Sequence, residues 1–148
     1  MQKRLLFLGL TLLTMSTSAT DIIKEGQEYP LEKMKEQNQQ IIKMVVKEIS
    51  KTLPQKVDKY TNMIQIADKN TTLIYTFEIN TKPKSDESVR KEDKPRMEKA
   101  VTKGVCQSSK RFLDSGITLN YAYLNASTKK ELFTFSINQQ KCKELHND

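Results

Sequence analysis

Beyond residue 30 the apolar residues of this chain fall into two spacings, one helical and one extended. Leu31, Met34, Ile41, Ile42, Val45 and Ile49 share a stripe at helical spacing, with Asn38 interrupting it. Lys and Glu fill the opposite face. Pro30 suits the first turn of that helix, and Leu53-Pro54 marks its end, because proline disfavours helix at the residue before it. The polar face is close to charge-balanced, which favours core packing over a membrane surface. Period two follows. Tyr60, Asn62, Ile64 and Ile66 alternate with Thr61, Met63, Gln65 and Ala67. After a turn at Asp68-Lys69-Asn70, Leu73, Tyr75, Phe77 and Ile79 alternate with Ile74, Thr76, Glu78 and Asn80. Two such runs around a short Asp/Asn loop predict a β-hairpin. Its second strand should lie deep in the sheet, since both faces begin apolar.

Residues 81–88 are a polar connection. A second helix is expected over roughly 86–106, with Val89, Met97, Ala100, Val101, Gly104 and Val105 as its apolar stripe. Pro95 either kinks it or marks its true start, with Asp93 as the cap. A short helical turn, Ser109 to Ser115, points Phe112 and Leu113 inward, and Gly116 is a candidate left-handed terminator. A second hairpin closes the domain. Ile117, Leu119, Tyr121 and Tyr123 alternate with Thr118, Asn120, Ala122 and Leu124. A loop at 125–129 follows, and then Phe133, Phe135 and Ile137 alternate with Leu132, Thr134 and Ser136. The chain after Cys142 reads as a polar tail. The order α-β-β-α-β-β predicts an α+β fold: a four-stranded antiparallel sheet with two helices on one face.

The N-terminus carries a different pattern. Lys3 and Arg4 precede a run from Leu5 to Leu13 that is apolar apart from Gly9 and Thr11, and small residues follow to Thr20. This is the build of a secretory signal peptide, with cleavage expected after Ala19. The run is too short to span a bilayer. Residues 1–19 are therefore read as a leader and 20–148 as a single domain, of which 20–29 are polar loop. No stable membrane insertion is expected after cleavage. The expected location is the periplasm or the exterior.

That location changes the meaning of the two cysteines. An even count in an exported chain reads as one disulfide, Cys106–Cys142. Two free thiols are the alternative, and two Cys with a tail His make a poor metal set, so no metal is expected. The chain has 25 Lys and Arg against 18 Asp and Glu. The leader holds two of the bases and no acid, so the remainder carries +5. Residues 20–80 and 112–148 balance. The whole excess lies in 81–111, with ten bases against five acids. An excess of that kind can attract an acidic partner. Lys82, Lys84, Arg90, Lys91, Lys94 and Arg96 are the candidate protein-binding residues, against the plainer reading of a solvated helix face.

Catalytic chemistry finds little footing. The only His, His146, sits in the tail, where no rigid shell holds a general base. Ser-His-Asp and Cys-His schemes go with it. No CxxC, phosphate loop, dinucleotide fingerprint or HExxH is present. Asp86, Glu87, Glu92 and Asp93 sit among lysines and read as solvated rather than as a glycosidase pair. No catalytic residue and no cofactor is expected. Single-strand nucleic-acid binding would need aromatics among the bases, and 81–111 has none. Asn70-Thr71-Thr72 and Asn125-Ala126-Ser127 match the glycosylation pattern, in turns where such sites would be exposed.

Val105-Cys106, Phe112-Leu113, Gly116, the run Leu119-Asn120-Tyr121-Ala122-Tyr123 and a strand ending at Cys142 together resemble small bacterial envelope proteins. The pattern, from Leu73 to Cys142, is similar to the quorum-sensing-regulated virulence factor family of Pseudomonas. More loosely it resembles the pilotins of type II secretion, which also pair helices with a disulfide-braced sheet. The pilotin pattern includes a lipid-bearing Cys at the mature start, and this chain has none there. Neither family supplies catalytic residues.

Two functions follow as expectations. The first is an exported, non-enzymatic factor that binds another envelope or secreted protein, as an accessory, inhibitor or immunity protein. The second is a small-molecule or lipid carrier, with Met34, Met44, Met63 and Met97 lining a pocket between sheet and helices. An enzyme using carboxylates alone is a third reading. A free sheet edge could pair with a second copy.

Overall fold

The computed structural model describes residues 30–145. The leader, residues 20–29 and His146 lie outside the described residues. Helix α1 (Leu31–Ser50) starts directly after Pro30, whose carbonyl accepts the N–H groups of Lys33 and Met34 at 2.9 and 3.2 Å. Three strands follow: β1 (Gln55–Lys56), β2 (Thr61–Lys69) and β3 (Thr72–Ile79). Asn70 turns the chain between β2 and β3 with φ 55°, a conformation that Asn tolerates better than most residues.

From Asp86 the chain is helical through to Ser108: α2 (Asp86–Ser88), a π turn (Val89–Asp93) and α3 (Lys94–Ser108). The Ser85 hydroxyl accepts the Ser88 N–H at 3.2 Å and caps this helical run. The helix therefore starts where the apolar stripe predicted. Asp93 does not cap a new one. Pro95 lies just past the π turn, whose i→i+5 bonding, Lys94 N–H to Val89 carbonyl, already departs from the α pattern. After α4 (Lys110–Asp114), Gly116 takes φ 90°, the left-handed stop that the sequence signalled. Strands β4 (Thr118–Asn125) and β5 (Glu131–Ile137) follow, then α5 (Gln139–Leu145). Helix α5 thus runs three residues into the segment expected as a polar tail.

The sheet has five strands in the order β1-β2-β3-β4-β5 and is mixed, not four-stranded and antiparallel. Both hairpins form, but they meet through a parallel pair, with Thr72 opposite Thr118 and Ile79 opposite Asn125. The helical crossover explains this. It returns the chain to the end of the sheet where β3 began, so β4 must run alongside β3. The Thr118 N–H donates to the Thr71 carbonyl at 3.0 Å and fixes that start. The fifth strand, β1, is a two-residue edge against Asn62 and Met63. A register shift between Met63 and Gln65 breaks the simple alternation of β2. Thr61, Met63 and Ile66 are buried as a result, rather than the even-numbered set.

One face of the sheet carries the core. Leu73, Phe77, Leu119, Tyr123, Phe133, Phe135 and Ile137 are buried there. Ile42 of α1 and Val105 of α3 pack on the same cluster, so both long helices cover that face. Across the parallel seam Tyr75 stacks on Tyr121 at 5.1 Å and Phe77 on Tyr123 at 5.0 Å. Asn38 belongs to the contact rather than interrupting it. It is buried, and its Nδ2 donates to the Ser115 carbonyl at 2.6 Å, which ties α1 to the turn before β4. The apolar stripe of α1 is narrower than its sequence suggests, for Leu31 is 81% exposed and Ile41 38%. No described helix is long and apolar enough to cross a membrane.

Burial raises the pKa of Tyr75, and pushes Tyr121 further above the ordinary phenol range, with Tyr75 and Tyr123 adding to it. Tyr123 is pushed up to about 12, by burial first and then by the Asp58 charge. In the unfolded chain these phenols lose their protons near their ordinary value of about 10. Above that pH the unfolded state binds fewer protons than the native one, so stability falls as pH rises. The melting temperature should therefore hold up to about pH 10 and decline beyond it. Tyrosinate absorbance should rise together with unfolding. A smooth titration of these tyrosines in a protein still folded would contradict their burial.

Candidate functional site

A concavity with an uneven charge lies at the end of the sheet where β3 finishes and β2 begins. It is an open cleft of about 640 Å³. Three separate stretches build it: residues 58–61 before and at the start of β2, residues 79–84 after β3, and one side of the helical run from Val89 to Met97. Its floor is apolar, from Ile79, Val89 and Met97, with the exposed Pro83 and Tyr60 at the edge. Val89 is buried and Tyr60 is 54% exposed. Its rim carries Lys59, Lys82, Lys84 and Arg96.

Two carboxylates lie among these cations, and both are engaged. Asp58 Oδ1 accepts the N–H groups of Tyr60 and Thr61 at 2.7 and 2.9 Å, holding the turn into β2. Asp93 pairs with Lys84 and Arg96, each at 3.0 Å. Lys84 first, and Arg96 after it, hold the Asp93 carboxyl below the usual carboxylate range. Lys84, which also reaches Glu92 at 3.0 Å, is raised by the same hydrogen bonds. These pairs are solvent-exposed and fix geometry more than stability. Lys59 lies over the Tyr60 ring at 5.3 Å from its centroid. Neither Lys59 nor Lys82 has a carboxylate partner among the described residues.

The structure divides the six basic candidates. Lys82, Lys84 and Arg96 line the cleft together. Lys91 and Lys94 are exposed but lie outside its lining. Arg90 turns the other way. Its Nε donates to the Leu132 carbonyl at 2.9 Å and its Nη2 to the Glu131 carbonyl at 2.8 Å. It therefore secures the start of edge strand β5, and its guanidinium is a structural tie. Lys59 and Tyr60 join the cleft without a sequence signal, because they come from a charge-balanced segment. Cys106 and Cys142 form the disulfide, with Cα atoms 5.6 Å apart, and join α3 to α5.

The four methionines do not share a pocket. Met63 is buried with Phe77 and Tyr123, Met97 lies in the cleft, and on α1 Met34 is half-buried and Met44 exposed. Among the described residues no group of three His, Cys, Asp or Glu could hold a metal ion. A second groove, between α3 and α5, has Glu98, Lys99, Lys141 and Glu144 in its lining. Its charges cancel, and Lys141 already pairs with Glu98 at 3.2 Å.

The second glycosylation-like motif has another role. Asn125 is 7% exposed. Its Nδ2 donates to Asp86 at 2.6 Å and to Thr81 at 3.3 Å. Its Oδ1 accepts the N–H groups of Ser127 and Thr128 at 2.8 and 3.2 Å. It thus joins the end of β4 to the start of the helical run behind the cleft. Asn125→Ala strands these groups and should cost about 2–3 kcal/mol, read by urea denaturation. A loss below about 0.5 kcal/mol would show that water replaces the amide.

A family model described as a domain of unknown function (DUF8479) matches residues 33–133. No curated protein matches the sequence. Solved structures do match the fold. One is a Pseudomonas aeruginosa protein described as secreted, 16% identical, with a TM-score of 0.65 over 74% of this chain and 96% of that one. A second is a pilotin from the Vibrio vulnificus type 2 secretion system, 14% identical, with a TM-score of 0.61 over 75% and 96%. A third is a type II secretion system pilotin from Vibrio cholerae, 15% identical, with a TM-score of 0.58 over 76% and 98%. At these identities the likeness establishes the fold.

Proposed function

This chain belongs to the DUF8479 family, and we propose that it is an exported, non-enzymatic accessory factor that binds another protein of an envelope or secretion system. The observation that carries this reading is the cleft at the end of the sheet: an apolar floor under a surplus of cations, with both of its carboxylates already paired. Such a surface suits recognition rather than proton transfer. The likeness in fold to two secretion pilotins supports it. So does the leader-like pattern of residues 1–19, with removal after Ala19 and function in the periplasm or outside the cell. The Cys106–Cys142 bridge fits an oxidising compartment.

The test is a tagged, mature chain (residues 20–148) used to capture partners from the native envelope, followed by mass spectrometry. The expected result is one protein co-eluting in near-equal amount. A small molecule retained in native mass spectrometry, with no protein partner, would replace this reading with the carrier. The scattered methionines weigh against that outcome.

A further inference from the structure

We infer that the cleft between Tyr60, Pro83 and Met97 takes a short segment of a partner protein in which an apolar side chain stands beside a carboxylate. This rests on the protein-binding reading above and names the chemistry the site would recognise. Asp58 is used by two backbone N–H groups, and Asp93 by Lys84 and Arg96. Lys59 and Lys82 have no carboxylate partner among the described residues. Arg96 gives one nitrogen to Asp93 and is 79% exposed, so its guanidinium keeps donors for a second carboxylate. Those three cations surround one opening. An incoming carboxylate is attracted there, and an incoming lysine or arginine is repelled.

The floor excludes a purely ionic ligand. Ile79, Val89 and Met97 form a surface that an inorganic anion would leave wet. Tyr60 adds an exposed aromatic edge at the mouth, of the kind that anchors protein contacts. A lone Tyr gives no ladder of stacking platforms, which argues against a nucleic-acid strand. The π turn contributes by alignment. It puts Val89 and Asp93 on the side that α3 continues with Arg96 and Met97, so one helical face supplies both floor and charge.

The test is selection of short random peptides displayed against the mature chain, followed by affinity measurement of the winners. Two double variants are compared with the natural chain. Lys82→Glu with Arg96→Glu reverses the cleft. Lys91→Glu with Lys94→Glu makes the same charge change outside it. The expected winners carry Asp or Glu next to Leu, Ile, Phe or Met. Their affinity should fall by about tenfold or more in the first variant and stay within about twofold in the second. All four side chains are exposed, so both variants should melt with the natural chain. Equal loss in both variants, winners without acids, or no winners at all would overturn the inference. Tight binding of a single-stranded oligonucleotide in place of peptides would overturn it too. A partner captured from the envelope and kept by the first variant would sink this placement while leaving the protein-binding reading intact. Failure to capture any protein with the natural chain would sink that reading itself.

Discussion

Replacing Cys106 and Cys142 by serine, or reducing the bridge between them, is expected to lower the melting temperature by about 10–15 °C. The bridge closes a stretch with a sequence separation of 36, spanning α4, β4 and β5. In the chain-entropy model a loop of that size is worth about 3–4 kcal/mol. Its local effect should be sharper than the global one. Helix α5 has seven residues, none of them fully buried, and a helix that short does not hold itself together in water. Its packing on α3 is anchored at Cys142. On reduction, the amides of α5 should lose hydrogen-exchange protection while those of β4 keep theirs. A shift below about 3 °C would mean that packing alone secures α5.

Ile42→Ala should cost about 3–4 kcal/mol, and Leu31→Ala less than about 0.5 kcal/mol, measured by chemical denaturation. Both residues sit on the predicted apolar stripe of α1. Ile42 is wholly buried in the cluster that holds Ile66, Leu73 and Leu119, whereas Leu31 is largely in water. Truncating Ile42 leaves a cavity where α1 meets the sheet, and the helix has few other fully buried side chains with which to compensate. Equal costs at the two positions would mean that the first turn of α1 is covered by something beyond the described residues.

That contrast shows how far periodicity reaches. Spacing identified α1, both hairpins and Gly116, because each is a local pattern that its own side chains enforce. It did not identify how the hairpins meet. Antiparallel and parallel pairing of β3 with β4 bury the same alternate residues, so Tyr75, Phe77, Tyr121 and Tyr123 read alike either way. The path of the crossover decides between them. Helix α5 was missed for a different reason: seven residues with Cys142 and Leu145 as their apolar positions give too little period to count. The candidate site was legible only where it is contiguous. Lys82, Lys84 and Arg96 lie in the basic segment, but Lys59 and Tyr60 arrive from the turn before β2 through the fold. Arg90 and Arg96 look equivalent in a charge count. The structure gives one to the backbone of β5 and the other to the cleft.

The parallel seam also sets an order of assembly. Each hairpin joins neighbours along the chain and can close early. The seam joins Thr72 to Thr118 and must wait for the whole helical crossover between them. Until it closes, β3 holds an unpaired edge and the faces of Tyr75 and Phe77 stay open to other chains. The parallel seam is therefore the long-range step of folding, and the interval before it closes is the one in which the nascent chain is most open to aggregation.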